Sequence, residues 1–543
     1  MLQHYFTLAL RNFRRQAFFS MINVAGLAVG LAACWLIALF VLHEKSYDAF
    51  LPAADRICAV ALDLKMGNEE GRTTNTPPPL GPRLAADFPE VELSARVFPV
   101  RGGVVVRRDW PGHAPLLFNE SATIAADTAF LELFGFPMAA GSAASALDRP
   151  GSLVLTEAMA ARYFGHESPM GQSLIVNDKP YTITGVVKDL PSTSSVQFDF
   201  VLPTADFKVV DRFSWSWVWL QVDTWVRLRE KPDAGALAGL EAKFPPMVHQ
   251  YAVPAFERIG QNFEENMARG DRYAVKLLPL PSLHLGSEGL NSRTATLGDA
   301  QQVRIFSIVG ALILLLACVN FMNLSTARSM KRAREVGVRK ALGSQRSVLV
   351  AQFLAEALLV SVAAMTCAAV LATLALPFFN RLASLQMTVS DLFAPGLLAF
   401  VVALPFVTGL LGGLYPAFYL SKFKAAESFK AAAGGAKGGH SGIRSGLVVF
   451  QFAVSIALML CAFIVFKQLD YAQNRTTGLQ RENVLLLKNA RHLDHPSTRE
   501  TFRQQVLQLP EVVSAAYTTD VPSLSSFNDS YEPEQGGQNH PVV

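Results

Sequence analysis

Almost nothing in this sequence is spaced for bond-making chemistry. No GxxxxGK[ST] spacing occurs, so no loop is built to cradle phosphates, and Gly434–Gly439 (GGAKGG) reads as a flexible loop. HExxH, nucleophile-elbow and EF-hand spacings do not occur either. Cys34, Cys58, Cys318, Cys367 and Cys461 form no CxxC or Cys/His pattern, and neither a zinc site nor a disulfide framework is expected. His492 and His495 stand three apart among ordinary surface carboxylates, which is a weak metal signal. No catalytic residue and no metal site follow from these patterns. What stands out instead is polarity inside apolar runs. Glu356 lies one to two turns into such a run, with Gln352 a turn before it. A carboxylate in hydrocarbon is either paired or used to move a proton or ion. Its nearness to a basic end favours pairing or a polar contact between helices. Asn320 and Asn323 read in the same way, as hydrogen-bonding groups between helices. Trp215, Trp217 and Trp219 alternate, which puts them on one strand face. That face either binds an apolar ligand or partner, or packs into a domain core, its commoner use.

The strongest pattern is Arg328–Arg346. It carries Arg328, Lys331, Arg332, Arg334, Arg339, Lys340 and Arg346 against a lone Glu335. Clamped between two long apolar runs, so basic a loop stays on the cytoplasmic side of a membrane. Val338, Ala341 and Leu342 fall at i, i+3, i+4, Glu335 precedes Arg339 at i, i+4, and Gly343 is placed as a stop. The spacing predicts a small amphipathic helix in the cytoplasm between two spans, well placed to touch a soluble partner.

These residues are positioned by a chain of 543 residues, 51% hydrophobic, 17% charged and with a net charge of +4. That is too apolar for an ordinary soluble protein. The basic excess is gathered in a few loops, which speaks to topology and against a nucleic-acid partner. The predicted order is a basic amphipathic surface helix over 1–17 and a first span over 18–42. A folded outer domain follows over 43–303, then a second span over 304–327 and the basic loop over 328–347. A third span (348–376), a short outer loop (377–395), a fourth span (396–420), a basic linker (421–445) and a fifth span (446–466) lead to a soluble tail over 467–543. The first apolar run, about 25 residues long, exceeds the apolar core of a signal peptide. Gly26 and Gly30 within it form GxxxG, which permits close helix packing.

The outer domain alternates short strands and helices, so the fold class is a helical transmembrane bundle plus an extracytoplasmic α+β domain. Strands are predicted at 151–155, 173–176, 181–187, 217–228 and 274–278. A helix is predicted over Glu157–Phe164, capped by Thr156 and ended by Gly165. Leu509-Pro510-Glu511-Val512 with Ser514-Ala515 echoes Phe88-Pro89-Glu90-Val91 with Ser94-Ala95, each about 65–70 residues after the start of a span. The tail is therefore expected to begin a second, incomplete outer domain, and the chain is expected to be truncated relative to a complete form.

Several stretches together resemble one family. LALRNFRRQAFFSMINVAGLAVGLAAC, HEKSYDAFLPAADRI, SLVLTEAMAARYFG, SPMGQSLIVNDKPYTITGVVKDLP, REVGVRKALGS, QFLAEALL and GLYPAFYLSKFKAAESFK are similar to segments of MacB/FtsX-type ABC transporter permeases. The resemblance covers nearly the whole chain and implies a MacB-like periplasmic core domain and an FtsX-like permease domain over 304–422. It implies a non-catalytic membrane subunit of the mechanotransmission type, in the bacterial inner membrane with its N-terminus in the cytoplasm. On the resemblance, Glu335, Val336, Gly337, Val338, Arg339, Lys340, Ala341 and Leu342 are the coupling helix that docks on a separate ATPase subunit, itself a dimer. ATP and Mg would sit on that partner, with no cofactor on this chain. Membrane lipid and a periplasmic adaptor or substrate protein are the other partners implied, and the substrate class stays open. A membrane-anchored sensor or receptor is the alternative function, and a secondary transporter fits the large outer domain poorly.

Overall fold

The structure is a computed structural model. It describes residues 17–67, 69–100, 102–110, 114–342, 344–383, 385–422, 441–474, 483–487, 493, 496–518, 529–531 and 540–542. The predicted surface helix before residue 17, most of the linker over 421–445, and His492 and His495 lie outside the described residues. Two compact units divide the chain, Met1–Ala472 and Gln473–Val543.

Among the described residues, five helices are long and apolar enough to cross a membrane: Ala17–Lys45, Ala300–Ala341, Arg346–Ala383, Pro395–Lys422 and Ser441–Asn474. The first four pack against one another through small residues. Where lipid tails are as apolar as leucine, close backbone approach and dispersion hold helices together. A Cβ added at Gly30 would meet the Ala317 Cβ at 2.7 Å, and one at Gly26 would approach the Asn320 side-chain nitrogen at 3.3 Å. The GxxxG of the first helix is thus the face that receives the second. On the fourth helix, a Cβ at Gly412 would collide with the Phe321 ring at 2.2 Å, and one at Gly413 with Ala357 at 2.7 Å. Trp35 of the first helix donates its indole N–H to the Leu392 carbonyl at 3.1 Å, tying that helix to the connector between the third and fourth. The fifth helix contributes no buried residue over its most apolar stretch.

The second helix corrects a sequence expectation. The basic segment is not a separate amphipathic helix: one helix runs unbroken over 42 residues from Ala300 to Ala341. The reason is local. Between Ala327 and Ala341 the residues are mostly Arg, Lys, Ala, Met and Glu, all good helix formers, and no proline interrupts them. Gly337 alone costs about 1 kcal/mol, too little to break so long a run.

Between the first and second helices, one mixed sheet of fifteen strands runs through the outer domain. Ile57–Met66 pairs antiparallel with Val222–Leu228 and Arg272–Pro279. From Val222–Leu228 the sheet continues through Val91–Pro99, Thr123–Ala126 and Phe200–Pro203 to Ser152–Thr156 and Lys179–Val187. Helix Glu157–Phe164 starts at Thr156, whose hydroxyl accepts the Met159 N–H at 3.4 Å, and ends at Gly165 with φ +61°, as its sequence predicts. Three apolar cores lie along the sheet. The central one stacks Phe130, Phe134, Phe136, Phe198 and Trp225. A core with Trp217, Phe244 and Phe256 fills one end, and a core with Tyr163, Phe164 and Phe200 fills the other. Two lobes therefore share one sheet and one centre.

Residues 284–299 form an irregular strap from the domain into the second helix. Leu290–Asn291 pairs parallel with Arg72–Thr73. Asp223, fully buried beneath the strap, accepts the Thr294 N–H at 3.0 Å, the Thr294 hydroxyl, and the Thr74 hydroxyl at 3.2 Å. Burial pushes its carboxyl up to about 6, against the pull of those hydrogen bonds.

In the second unit, helix Pro496–Leu507 leads into Leu509–Val512, closed by Val512 N–H to Leu509 O at 3.0 Å. In the first, helix Leu80–Asp87 leads into Phe88–Val91, closed by Val91 N–H to Phe88 O at 3.1 Å. The two segments that echo in sequence thus share a local fold. Asp529–Tyr531 and His540–Val542 pair as a short hairpin.

Two outcomes are expected. Gly30→Val inserts methyl groups into a closed helix contact and should cost about 1–3 kcal/mol. Thermal unfolding of the detergent-solubilised chain should show the loss, whereas Gly446→Val, with nothing within 4 Å of its Cβ, should unfold like the parent. Equal melting of both variants would place Gly30 outside a packed contact. For Asp223 the folded carboxyl is the weaker acid, so its contribution to stability is full below about pH 4 and is lost as pH rises through about 6. Asp223→Asn, which cannot ionise, should remove that part of the pH slope in denaturant midpoints. An unchanged slope would show that the carboxyl is not desolvated.

Candidate functional site: the joint between spans and outer domain

Where the first helix leaves the membrane, its last turn carries Glu44, and the chain turns through Tyr47 and Asp48. Asp48 has φ +58°, a left-handed conformation that Asp tolerates better than most residues. Its N–H donates to Thr193 O at 2.8 Å. Its carboxylate accepts the Ser195 N–H at 2.8 Å and the Ser195 hydroxyl at 2.5 Å. Burial outweighs those two hydrogen bonds and holds the Asp48 carboxyl above its ordinary range.

The strap into the second helix docks on the same segment. Ala295 bridges to Val196, and the Thr296 N–H donates to Ser195 O at 2.8 Å. Ser195 therefore holds the exit of the first span by its N–H and hydroxyl and the approach to the second by its carbonyl. His284, 3% exposed, completes the joint. Its Nδ1 faces Thr296 O at 2.9 Å, and its Nε2 faces Glu44 Oε2 at 3.0 Å. The Tyr47 ring stacks on the imidazole at 3.4 Å and 7°. Gly298 lies so close that a Cβ there would fall 2.4 Å from His284 Nε2. Asp299 then caps the second helix, accepting the Gln301 N–H at 2.7 Å.

In the sequence, the polar residues of HEKSYDAF carry no spacing that assigns them a role. The available signal was Glu44 at the end of an apolar run, where a carboxylate is costly unless paired. Its partner lies 240 residues away, and no local pattern connects the two.

The residues singled out from sequence are distributed over four places. Of Glu335–Leu342, the side chains of Glu335, Val336, Gly337, Arg339, Lys340 and Ala341 lie outside the described residues. Val338 and Leu342 are 42% and 82% exposed, at the end of the second helix. Gln352 donates to Glu356 at 3.3 Å along the third helix, and Gln352 is buried. Asn323 of the second helix donates to Gln451 of the fifth at 3.4 Å, while Asn320 packs on Gly26.

Trp215, Trp217 and Trp219 do not share a strand face, which corrects the alternation argument. The strand begins only at Val222. Before it, the Ser216 hydroxyl accepts the N–H groups of Val218 and Trp219, at 3.2 and 3.0 Å, and folds the chain into a local turn. Trp217 is buried and stacks on Tyr251, Trp215 lies beneath the Arg258 guanidinium, and Trp219 stacks on Phe213.

Comparison with known proteins agrees with this layout. The model of the MacB-like periplasmic core domain matches residues 20–239, and that of the FtsX-like permease C-terminal region matches 307–425. The pyoverdine export ATP-binding/permease protein PvdT of Pseudomonas syringae pv. tomato is 25% identical over 343 residues, 61% of this chain and 45% of that protein. The macrolide export ATP-binding/permease protein MacB of Rhodospirillum rubrum is 25% identical over 423 residues, 76% of this chain and 57% of that protein. The chain thus spans about half the length of the curated relatives it matches. Among solved structures, a domain of a putative permease protein from Porphyromonas gingivalis is 24% identical with a TM-score of 0.35, covering 47% of this chain and 98% of its own. The core-domain match spans the first helix and most of the outer sheet, and the permease match spans the second to fourth helices: this multi-pass membrane protein carries a MacB-like periplasmic core domain and an FtsX-like permease region, the two parts of a MacB/FtsX-type permease.

Proposed function

We propose that the chain is the force-transmitting membrane subunit of its transporter. A separate ATPase subunit, working as a dimer, would dock on the end of the second helix, and its ATP-driven movement would displace the periplasmic domain. The observation that carries this reading is the continuity of Ala300–Ala341. At 1.5 Å per residue the helix is ~63 Å long, about twice the hydrocarbon thickness. One rod therefore joins the exposed apolar end at Val338 and Leu342 to the strap at Gly298.

The basic segments at 328–347 and 421–445 support placing those ends in the cytoplasm, with the N-terminus, and the outer domain in the periplasm. ATP and Mg belong, on this reading, to the partner: the relatives are named ATP-binding/permease proteins, and no P-loop spacing occurs in these 543 residues. The periplasmic domain would pass its movement to an adaptor or to a substrate protein, for export or extraction. Glu356, paired to Gln352 along its own helix, has the role of a polar packing group.

Leu342→Asp tests the docking end. Asp adds little to the positive-inside bias, so insertion should be unchanged. A charge placed in an apolar contact costs on the order of a few kcal/mol. The ATPase should then fail to co-purify, while Arg339→Lys retains it. Undiminished co-purification and transport-linked ATP hydrolysis in Leu342→Asp would reduce the segment to a topology signal.

A further inference from the structure

The ring of His284 has both nitrogens turned toward acceptors. Thr296 O only accepts, so Nδ1 carries a hydrogen. Across the ring, Nε2 faces the Glu44 carboxyl at 3.0 Å, in a site where Glu44 and His284 are both buried. Two arrangements satisfy that contact: imidazolium with carboxylate, or neutral imidazole accepting from a protonated carboxyl. Both place one proton on the Nε2···Oε2 line. Without it a nitrogen lone pair faces a carboxylate in a buried space, and each polar atom loses its partner. The flat stack of Tyr47 on the ring favours the charged imidazole, as an aromatic face attracts a cation.

The other titratable and charged groups around the pair are few. His43, Tyr47 and Asp48 come from the end of the first helix and the turn after it, with Lys45 exposed beside them. Asp299 comes from the strap, capping the second helix. Asp391, in the connector between the third and fourth helices, acts on His43. Asp48 is held by Ser195, and neither it nor Asp391 touches Nε2.

We propose that Glu44 and His284 form a proton-held clasp: one shared proton ties the outer end of the first span to the strap leading into the second, and its loss to bulk water opens that tie. Within the proposed function, on which the clasp's mechanical meaning rests, the clasp joins the two helices that bracket the periplasmic domain. With it closed, both helices grip the domain at one point. With it open, the side-chain tie between the two helices is gone, and the strap keeps only its contacts with the domain itself, at Ser195, Val196, Asp223 and Leu290–Asn291.

Hydrogen exchange by mass spectrometry on the full chain in lipid nanodiscs tests this, without any ATPase. The reporters are the Thr296 and Gly298 amides, bonded to Ser195 O and His284 O at 2.8 Å each. Rates are corrected for the intrinsic pH dependence of exchange. In the parent, protection should fall on the alkaline side by roughly tenfold per pH unit, the slope of a single-proton linkage. Glu44→Gln can donate an amide hydrogen to a neutral imidazole, so it should keep the protection and abolish the slope. His284→Ala should lose protection at every pH. A parent with no slope, or a Glu44→Gln variant with the parental slope, would overturn the clasp. The clasp and the force-transmitting reading fail separately: exchange in the chain alone decides the first, and co-purification of an ATPase decides the second.

Discussion

Asp48 accepts both the N–H and the hydroxyl of Ser195, and on that doubly hydrogen-bonded carboxylate the connection between membrane and outer domain depends. A helix leaving a bilayer is a stiff rod, but the few residues after it are ordinarily its weakest part. Here the chain turns at once into a left-handed residue and is bonded to the domain by backbone and side chain together. The same Ser195 receives the strap from the second helix. Two rods entering from the membrane therefore meet on one short segment, rather than on two independent loops. Both are fixed to the same place in the sheet.

The bundle below complements this joint. Glycines at 26 and 30 let the first helix press on the second, and glycines at 412 and 413 let the fourth press on the second and third. Such contacts are short-range and stiff, because a packed interface gives up dispersion energy steeply when it opens. The fifth helix has no comparable contact among the described residues and shares a hydrogen bond with the second through Gln451 and Asn323. The first four helices form one packed body, with the second as its longest member.

How much of this was legible beforehand depended on the range of the interaction. Helix Glu157–Phe164 was readable to the residue, because a threonine cap and a glycine stop are local chemistry. The spans were readable because hydrocarbon demands a run of apolar residues. The Trp215–Trp219 alternation misled, since Ser216 offered the backbone a turn that periodicity does not register. The basic segment misled in the opposite direction: its change from apolar to charged suggested a boundary, but most residues on both sides favour helix and no proline interrupts them. The joint was invisible because it is assembled from residues at 44–48, 193–196 and 284–298. Each is unremarkable alone, and only the folded sheet brings them within hydrogen-bonding distance.

The central claim is that movement of the spans reaches the periplasmic domain through this joint. Spin labels at Ser168→Cys in the domain and Gln386→Cys in the connector between the third and fourth helices, in a background without the native cysteines, report it by pulsed dipolar distance measurement. Both sites are exposed. With the ATPase bound, ATP should change the distance distribution in the parent. Asp48→Ala should abolish that change while ATP hydrolysis continues. An ATP-driven change of the same size without Asp48 would contradict the account.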